Sequence, residues 1–248
     1  LPADMADALA AYDAIYPEGP IHIHIAEQEK EVAECRAWSG LRPVELLLDG
    51  VPVGSRWTLV HATHMTEDET RRAAASGAVA GLCPTTEANL GDGIFDLPGW
   101  LAAAGAFGVG SDSNVSLDPR EELRWLEYTQ RLILKRRLVA GDAASPHALG
   151  AALWLGAAAG GARAMGQACG AIAENEAADL LVLDTEHPTL AAHGPDTLLD
   201  AWVFTNAGSA LREVRVAGRR AVEDGRHPGE DAIRARYRET MTELVQEL

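Results

Sequence analysis

The sequence contains little cysteine and no long apolar run. Its three cysteines, Cys35, Cys83 and Cys169, lie far apart and form no Cys-x-x-Cys pair, which argues against a zinc finger and against a disulfide framework. Reduced thiols are typical of cytoplasmic proteins, and we expect this compartment. No apolar run is long enough to cross a bilayer, so a membrane partner is not expected.

Basic residues are scarce as well. The 21 Lys and Arg stand against 37 Asp and Glu, which gives a formal net charge of −16. Because such a protein repels phosphate backbones, no nucleic-acid partner is expected. The sequence also lacks the Gly-x-Gly-x-x-Gly and P-loop motifs of nucleotide-binding sheets. What it does have is an apolar fraction of 47%, which is enough for a globular core.

The first 140 residues alternate between strand and helix patterns. Apolar runs that end in polar or turn-forming clusters predict four strands, at 21–25, 57–61, 78–83 and 106–110. Helical periodicity and cap signals predict helices at 3–15, 28–39, 43–49, 67–76, 97–104 and 121–139. This alternation indicates parallel strands covered by helices, and four strand–helix units are half of a (β/α)₈ barrel. An open doubly wound sheet is the structural alternative.

After residue 145 the pattern changes. An Ala/Gly-rich helix pair is predicted over 147–166, and a charged helix closes the chain over 232–248. Between them, short apolar runs predict strands at 179–184, 200–205 and 213–218. The second part of the sequence therefore predicts a small β region.

Polar side chains follow the predicted strands where each strand ends. His22 and His24 share one face of the first strand, and Glu27 follows it; His61 ends the second strand and Asp112 follows the fourth. Active sites of (β/α)₈ barrels lie at the C-terminal ends of the strands. Imidazoles and carboxylates gathered there are the groups that metal-assisted hydrolysis uses. We therefore interpret His24 and Asp112 as metal ligands and His22 as a structural residue.

The same residues also have structural interpretations. His24 can be a hydrogen-bonded core histidine, and Glu27 can stabilise the N-terminus of the helix at 28–39 through the helix dipole. Asp112 can cap a turn. As functional groups, Glu27 can move a proton, and His61 can orient hydroxide or stabilise developing negative charge. The combination of groups favours function for His24 and Asp112.

Other polar residues near the strand ends have less defined roles. We interpret His64 as structural, and the segment 84–94 as a long polar loop that can contact substrate. Arg120, Arg124 and Arg131 can gather positive charge for an anionic substrate. Equally, they can be i,i+4 partners of nearby glutamates.

The sequence resembles the deaminase branch of the amidohydrolase superfamily at three places: residues 24–27, His61 and residues 111–113. The segments HIHIAEQ, CPTTEANLGDGIF and SDSNVSLDPREELRWLEYTQR are most similar to its formimidoylglutamate deiminases of histidine degradation. The similarity covers residues 20–140, and 170–225 resembles the β-sandwich return of the superfamily. The resemblance implies strands 5–8 of a (β/α)₈ hydrolase barrel over 1–168, part of a small β-sandwich over 169–228 and a C-terminal helix over 229–248.

The resemblance also implies a mononuclear zinc site. His24 and Asp112 match two of its ligands, and the remaining ligands are expected upstream of residue 1. Glu27 matches the proton shuttle, with Asp112 assisting, and His61 matches the residue that holds the attacking hydroxide. The implied activity is hydrolytic deimination of N-formimidoyl-L-glutamate to N-formyl-L-glutamate and ammonia. A deaminase or chlorohydrolase acting on guanine, adenosine-type or triazine substrates, and a metal-free barrel without catalysis, are the alternatives.

The remaining expectations concern partners and length. We expect a small anionic substrate and a homodimer. The chain begins at Leu1 without an initiator Met and supplies four barrel units and two metal ligands, whereas a closed barrel has eight units and catalytic zinc has at least three protein ligands. We therefore expect it to be the C-terminal part of a longer protein.

Overall fold

The computed structural model describes residues 5–141, 148–205 and 207–246. Its first part is a helix, α1 (Met5–Ile15), followed by four strands that alternate with helices. The first two units comprise β1 (Ile21–Ile25), α2 (Glu29–Ser39), α3 (Pro43–Gly50), β2 (Trp57–His61) and α4 (Glu67–Ser76). The next two comprise β3 (Val79–Leu82), α5 (Pro84–Leu90), α6 (Leu97–Ala102), β4 (Ala106–Val109), α7 (Pro119–Leu134) and α8 (Leu149–Met165). All four predicted strands are confirmed.

The four strands form one parallel sheet in the order β1-β2-β3-β4. Ile25 is the register partner of His61, and Leu82 is the partner of Val109. The C-terminal ends of the strands therefore meet at one edge of the sheet, as predicted for barrel units.

Tight packing of α8 against β4 explains the small residues of this helix. A Cβ atom added to Gly160 would lie 1.9 Å from the carbonyl oxygen of Phe107, so only glycine allows this approach. The segment is a single helix over Leu149–Met165, so the predicted helix pair over 147–166 is wrong within the described residues; residue 147 lies outside them. The small residues do not break the helix but permit contact between helix and strand.

A capping box lies before α4. Thr66 Oγ1 accepts a hydrogen bond from Glu69 N (3.2 Å), and Glu69 Oε2 accepts one from Thr66 N (2.8 Å). Glu69 also accepts a hydrogen bond from Arg42 Nε at 2.8 Å. These contacts fix the start of α4, and Gly77, with φ of 87°, ends the helix.

Two predictions for the third and fourth units are wrong. The loop predicted over 84–94 contains α5, which begins with Pro84 at its first turn and ends before Gly91, whose φ is 75°. Buried Glu122 accepts hydrogen bonds from the Thr85 amide (2.9 Å) and from its hydroxyl, so tertiary contacts support a helix of polar sequence. The helix predicted over 121–139 ends at Leu134, because Lys135 takes a left-handed conformation with φ of 54°.

The second part of the chain contains a three-stranded antiparallel sheet in the order β5-β6-β7. Its elements are β5 (Leu180–Leu183), α9 (Pro195–Phe204), β6 (Leu211–Val216), β7 (Arg219–Val222) and α10 (Glu230–Gln246), with a 3₁₀ turn at Gly208–Ala210. The strands predicted at 179–184 and 213–218 are confirmed in type, whereas β7 was not predicted. The division at 168 and 228 stays a prediction.

The strand predicted over 200–205 is wrong, because residues 200–204 lie in α9 and Thr205 caps its C-terminus. Apolar and aromatic residues favour a strand in this segment. In the structure, Trp202 is buried and packs edge-on against Trp154 of α8, with ring centroids 6.0 Å apart. Burial against a helix thus decides the conformation. Within the described residues, no helix is both long and apolar enough to span a membrane.

Candidate active site at the strand ends

The end of β1 places His24 and Glu27 at the edge where the strands terminate. His24 lies on the exposed face of β1, and its ring centroid is 5.4 Å from that of His61. Ala26 takes a left-handed conformation with φ of 50°. The amides of Ala26 and Glu27 both donate to the Glu31 carboxylate at 2.9 Å. Glu31, which the sequence reasoning missed, therefore fixes the turn that orients Glu27.

His61, at the end of β2, is the centre of this edge. Its side chain is fully buried, and its φ of 66° is left-handed, which is costly for a residue with a side chain. Nδ1 lies 3.3 Å from Glu87 Oε1, and Nε2 lies 3.6 Å from Glu27 Oε1. Nε2 has no hydrogen-bond partner among the described residues. A buried ring nitrogen is thus left free beside the Glu27 carboxylate.

Glu87 is the second acidic residue in contact with His61. It lies on α5, is 3% exposed, and its Oε1 also accepts a hydrogen bond from Cys83 N at 3.1 Å. Glu87 was not predicted as a site residue, because the sequence predicts a loop over 84–94. The available signal was a glutamate in the first turn after Pro84, four residues beyond Cys83.

Acidic surroundings at this edge raise the pKa of His61. Burial by itself lowers the pKa of the His61 imidazole, but the hydrogen bond with Glu87 and the negative charges of Glu27, Glu87 and Asp112 outweigh it, so the pKa is raised. Burial, with the same acidic surroundings, raises the pKa of the Cys83 thiol to about 12. Cys83 is therefore protonated at neutral pH and is not a thiolate nucleophile.

Asp112 lies after β4, at the same edge of the sheet. Its side chain is exposed, and its φ of 49° is left-handed. The neighbouring Ser111 carbonyl accepts a hydrogen bond from Thr86 Oγ1 at 2.8 Å, which ties α5 to the end of β4. Asp112 thus presents its carboxylate to solvent near the buried His61.

The chain is similar to a known protein family and to several known proteins. The amidohydrolase family model matches residues 3–221. The chain belongs to the amidohydrolase family. The resemblance found in the sequence is thereby confirmed.

Two curated relatives show how much of the family architecture is present. The formimidoylglutamate deiminase of Pseudomonas aeruginosa is 49% identical over 244 residues, which are 98% of this chain and 53% of that protein. A 5-methylthioadenosine/S-adenosylhomocysteine deaminase of Nitratidesulfovibrio vulgaris is 33% identical over 211 residues, 84% of this chain and 46% of that protein. The chain spans about half the length of these curated relatives.

Solved structures confirm the predicted amidohydrolase barrel fold. The crystal structure of an amidohydrolase from Brucella melitensis matches with a TM-score of 0.88 and 44% identity, covering 97% of this chain and 53% of that one. An adenosine deaminase from Xanthomonas campestris with bound zinc matches with a TM-score of 0.80 and 24% identity, over the same shares of the two chains. At that identity the second match shows a shared fold alone.

The donor groups of this amidohydrolase chain fit part of a zinc site. An imidazole such as His24 and a carboxylate such as Asp112 are ordinary zinc ligands, and a catalytic zinc ion usually has three protein ligands. The unpartnered Nε2 of buried His61 marks a place beside His24 where a polar group would be accommodated. Within 5–141, 148–205 and 207–246, however, no three His, Cys, Asp or Glu side chains are grouped to hold a metal ion. The described residues thus supply an incomplete ligand set.

The other polar residues singled out from the sequence serve structural contacts. His22 bonds through Nε2 to the Ala164 carbonyl (2.9 Å), and His64 bonds through Nε2 to the Asp92 carbonyl (2.7 Å). His64 is therefore structural, as predicted.

The three candidate arginines are also engaged with the protein. Arg131 pairs with Glu127 at 2.7 Å, which confirms one of the alternative i,i+4 pairs. Arg120 instead pairs with Asp118 and stacks over Trp202, and Arg124 donates to backbone carbonyl groups of residues 203 and 205. Two of the three arginines thus form ion pairs with carboxylates, whereas Arg124 contacts neutral carbonyl groups.

Proposed function

We propose that this chain carries the catalytic strand ends of an enzyme that hydrolyses N-formimidoyl-L-glutamate to N-formyl-L-glutamate and ammonia. One observation carries the proposal: the Glu27 carboxylate lies 3.6 Å from the unpartnered Nε2 of His61, at the ends of adjacent parallel strands. The 49% identity to the Pseudomonas aeruginosa deiminase supports the choice of substrate.

His24 and Asp112 are the residues of this chain that would hold zinc. When bound, zinc acts as a Lewis acid that makes water a competent nucleophile near neutral pH. This role is supported by the donor chemistry of the two side chains and by the zinc bound to the Xanthomonas campestris deaminase. The remaining ligands would come from residues outside the described ranges.

Glu27 and His61 handle the proton and the charge of the reaction. Glu27, assisted by Asp112, takes a proton from the water whose oxygen bonds to the formimidoyl carbon. His61 Nε2 orients this water and stabilises the negative charge that develops. Glu27 then returns this proton to the terminal nitrogen, and the remaining proton of the added hydroxyl group passes to the same nitrogen. The bond between carbon and this nitrogen breaks with its electron pair on nitrogen, the C=O bond forms, and ammonia leaves. The amide nitrogen of glutamate keeps the resulting formyl group.

A substrate panel tests this proposal. For the protein at its full natural length, we expect kcat/KM for ammonia release from N-formimidoyl-L-glutamate to exceed that from guanine and 5-methylthioadenosine by roughly 10²-fold or more, because a site that binds the glutamate part leaves polar groups unpaired with a purine. Formamidine, which has the reacting group without glutamate, is the matched control and should react slowly. A purine that reacts faster would contradict the proposed substrate.

A further inference from the structure

The contact between Glu87 and His61 has a consequence for where His61 carries its proton. Glu87 Oε1 accepts the Cys83 amide at 3.1 Å and faces His61 Nδ1 at 3.3 Å. Because a carboxylate oxygen only accepts hydrogen bonds, the group opposite it donates, and on a histidine ring that group is Nδ1–H. The free ring nitrogen of a neutral His61 is then Nε2, which is the nitrogen beside Glu27.

Glu87 is held firmly enough to impose this arrangement. It lies in the first helical turn after Pro84, and the two preceding residues are both anchored. Thr85 donates from its amide and hydroxyl to buried Glu122, and Thr86 Oγ1 donates to the Ser111 carbonyl. The first turn of α5 is therefore tied to α7 and to the segment after β4, and the Glu87 carboxylate is held by the Cys83 amide.

We propose that Glu87 is a positioning residue: it holds the His61 ring with the proton on Nδ1 and thereby reserves Nε2 for the reacting groups beside Glu27. The effect of Glu87 on catalysis rests on the proposed function. The position of the proton on His61 follows from contacts among the described residues alone. In the neutral ring, Nε2 accepts a hydrogen bond from the attacking water; when the ring is protonated, the same atom donates.

Two substitutions separate the hydrogen bond from the charge. In Glu87→Gln the amide oxygen can still accept from Nδ1–H, so the ring should keep its orientation while the negative charge is lost. In Glu87→Leu the acceptor is absent, so neutral His61 should exchange its proton between the two nitrogens. We expect kcat to fall roughly 10–100-fold in the leucine variant and distinctly less in the glutamine variant, with KM little changed in both.

The matched control is Glu127→Gln. Glu127 is also fully buried and accepts hydrogen bonds from Arg131 Nε (2.7 Å) and from the amides of Val139 and Ala140. None of these hydrogen-bond partners is His61. The Glu127→Gln variant therefore measures the general effect of removing the charge of a buried carboxylate. We expect this variant to lower thermal stability and leave the His61 spectrum unchanged.

The decisive readout is ¹⁵N NMR of the imidazole groups in the full-length protein, with the His61 signals assigned by their loss in His61→Asn. We expect a protonated Nδ1 in the wild-type and Glu87→Gln proteins, and an averaged Nδ1 signal in folded Glu87→Leu. The role of Glu87 would be overturned if the Nδ1 signal were the same in the wild-type protein and in Glu87→Leu. It would also be overturned if kcat fell no further in Glu87→Leu than in Glu127→Gln. Because the NMR measurement needs no turnover, an inactive wild-type protein would contradict the proposed function and not this inference.

Discussion

Replacing Glu27 by glutamine is expected to lower kcat for ammonia release by roughly 10²–10⁴-fold, the usual contribution of acid–base catalysis. Glu27 is partly exposed, its Oε1 lies 3.6 Å from His61 Nε2, and its amide is held by Glu31. Glutamine preserves the shape of the side chain but cannot shuttle a proton. The measurement is steady-state ammonia release by the full-length protein, together with its metal content, which should not change.

The control for this substitution is Glu29→Gln. Glu29 lies in the first turn of α2 and is exposed, so the same chemical change there should leave kcat close to the wild-type value. If Glu27→Gln also turned over at nearly the wild-type rate, Glu27 would be an ordinary acid before a helix and not the proton shuttle.

The second large effect is expected for Asp112→Asn. Asparagine tolerates the left-handed conformation that Asp112 adopts, with φ of 49°, so the turn should survive while the charged ligand is lost. Loss of a residue that hydrogen-bonds to a metal ligand typically lowers metal affinity roughly 10–100-fold. Because Asp112 is proposed as a ligand itself, we expect at least this loss of affinity, and activity should fall with it. Metal content by plasma emission after gel filtration measures the effect directly.

Asp118→Asn provides the comparison for Asp112→Asn. Asp118 caps α7 by accepting from the Arg120 amide at 2.9 Å and pairs with the Arg120 side chain. Loss of this charge should lower the melting temperature without releasing metal. Full zinc occupancy in Asp112→Asn would assign Asp112 to a turn cap and remove it from the ligand set.

The strand ends could be predicted from the sequence because local signals agree with the tertiary structure there. Alternating apolar residues define β1, and the Thr66 capping box and Gly77 define the limits of α4. Since parallel strands bring their C-terminal ends to one edge, placing His24 and His61 at strand ends was enough to place them together. The distance of 5.4 Å between their rings agrees with this reasoning.

Elements that depend on distant contacts could not be predicted in this way. The sequence of α5 is polar, and its helical form is supported by Glu122, which lies 37 positions beyond Thr85. Trp202 lies in a run with strand propensity but packs against Trp154 of α8. Glu87 was not predicted as a site residue because its contact with His61 exists only if residues 84–90 are helical, and this helix depends on the contact with Glu122.

In the proposed reaction, water attacks the formimidoyl carbon and the terminal nitrogen leaves as ammonia. Turnover of N-formimidoyl-L-glutamate by the full-length protein in ¹⁸O-labelled water, followed by mass spectrometry, tests it most directly. Hydrolytic deimination gives N-formyl-L-glutamate carrying one ¹⁸O atom, together with an equal amount of ammonia. Unlabelled formyl product, or L-glutamate and formamide in place of these products, would contradict it.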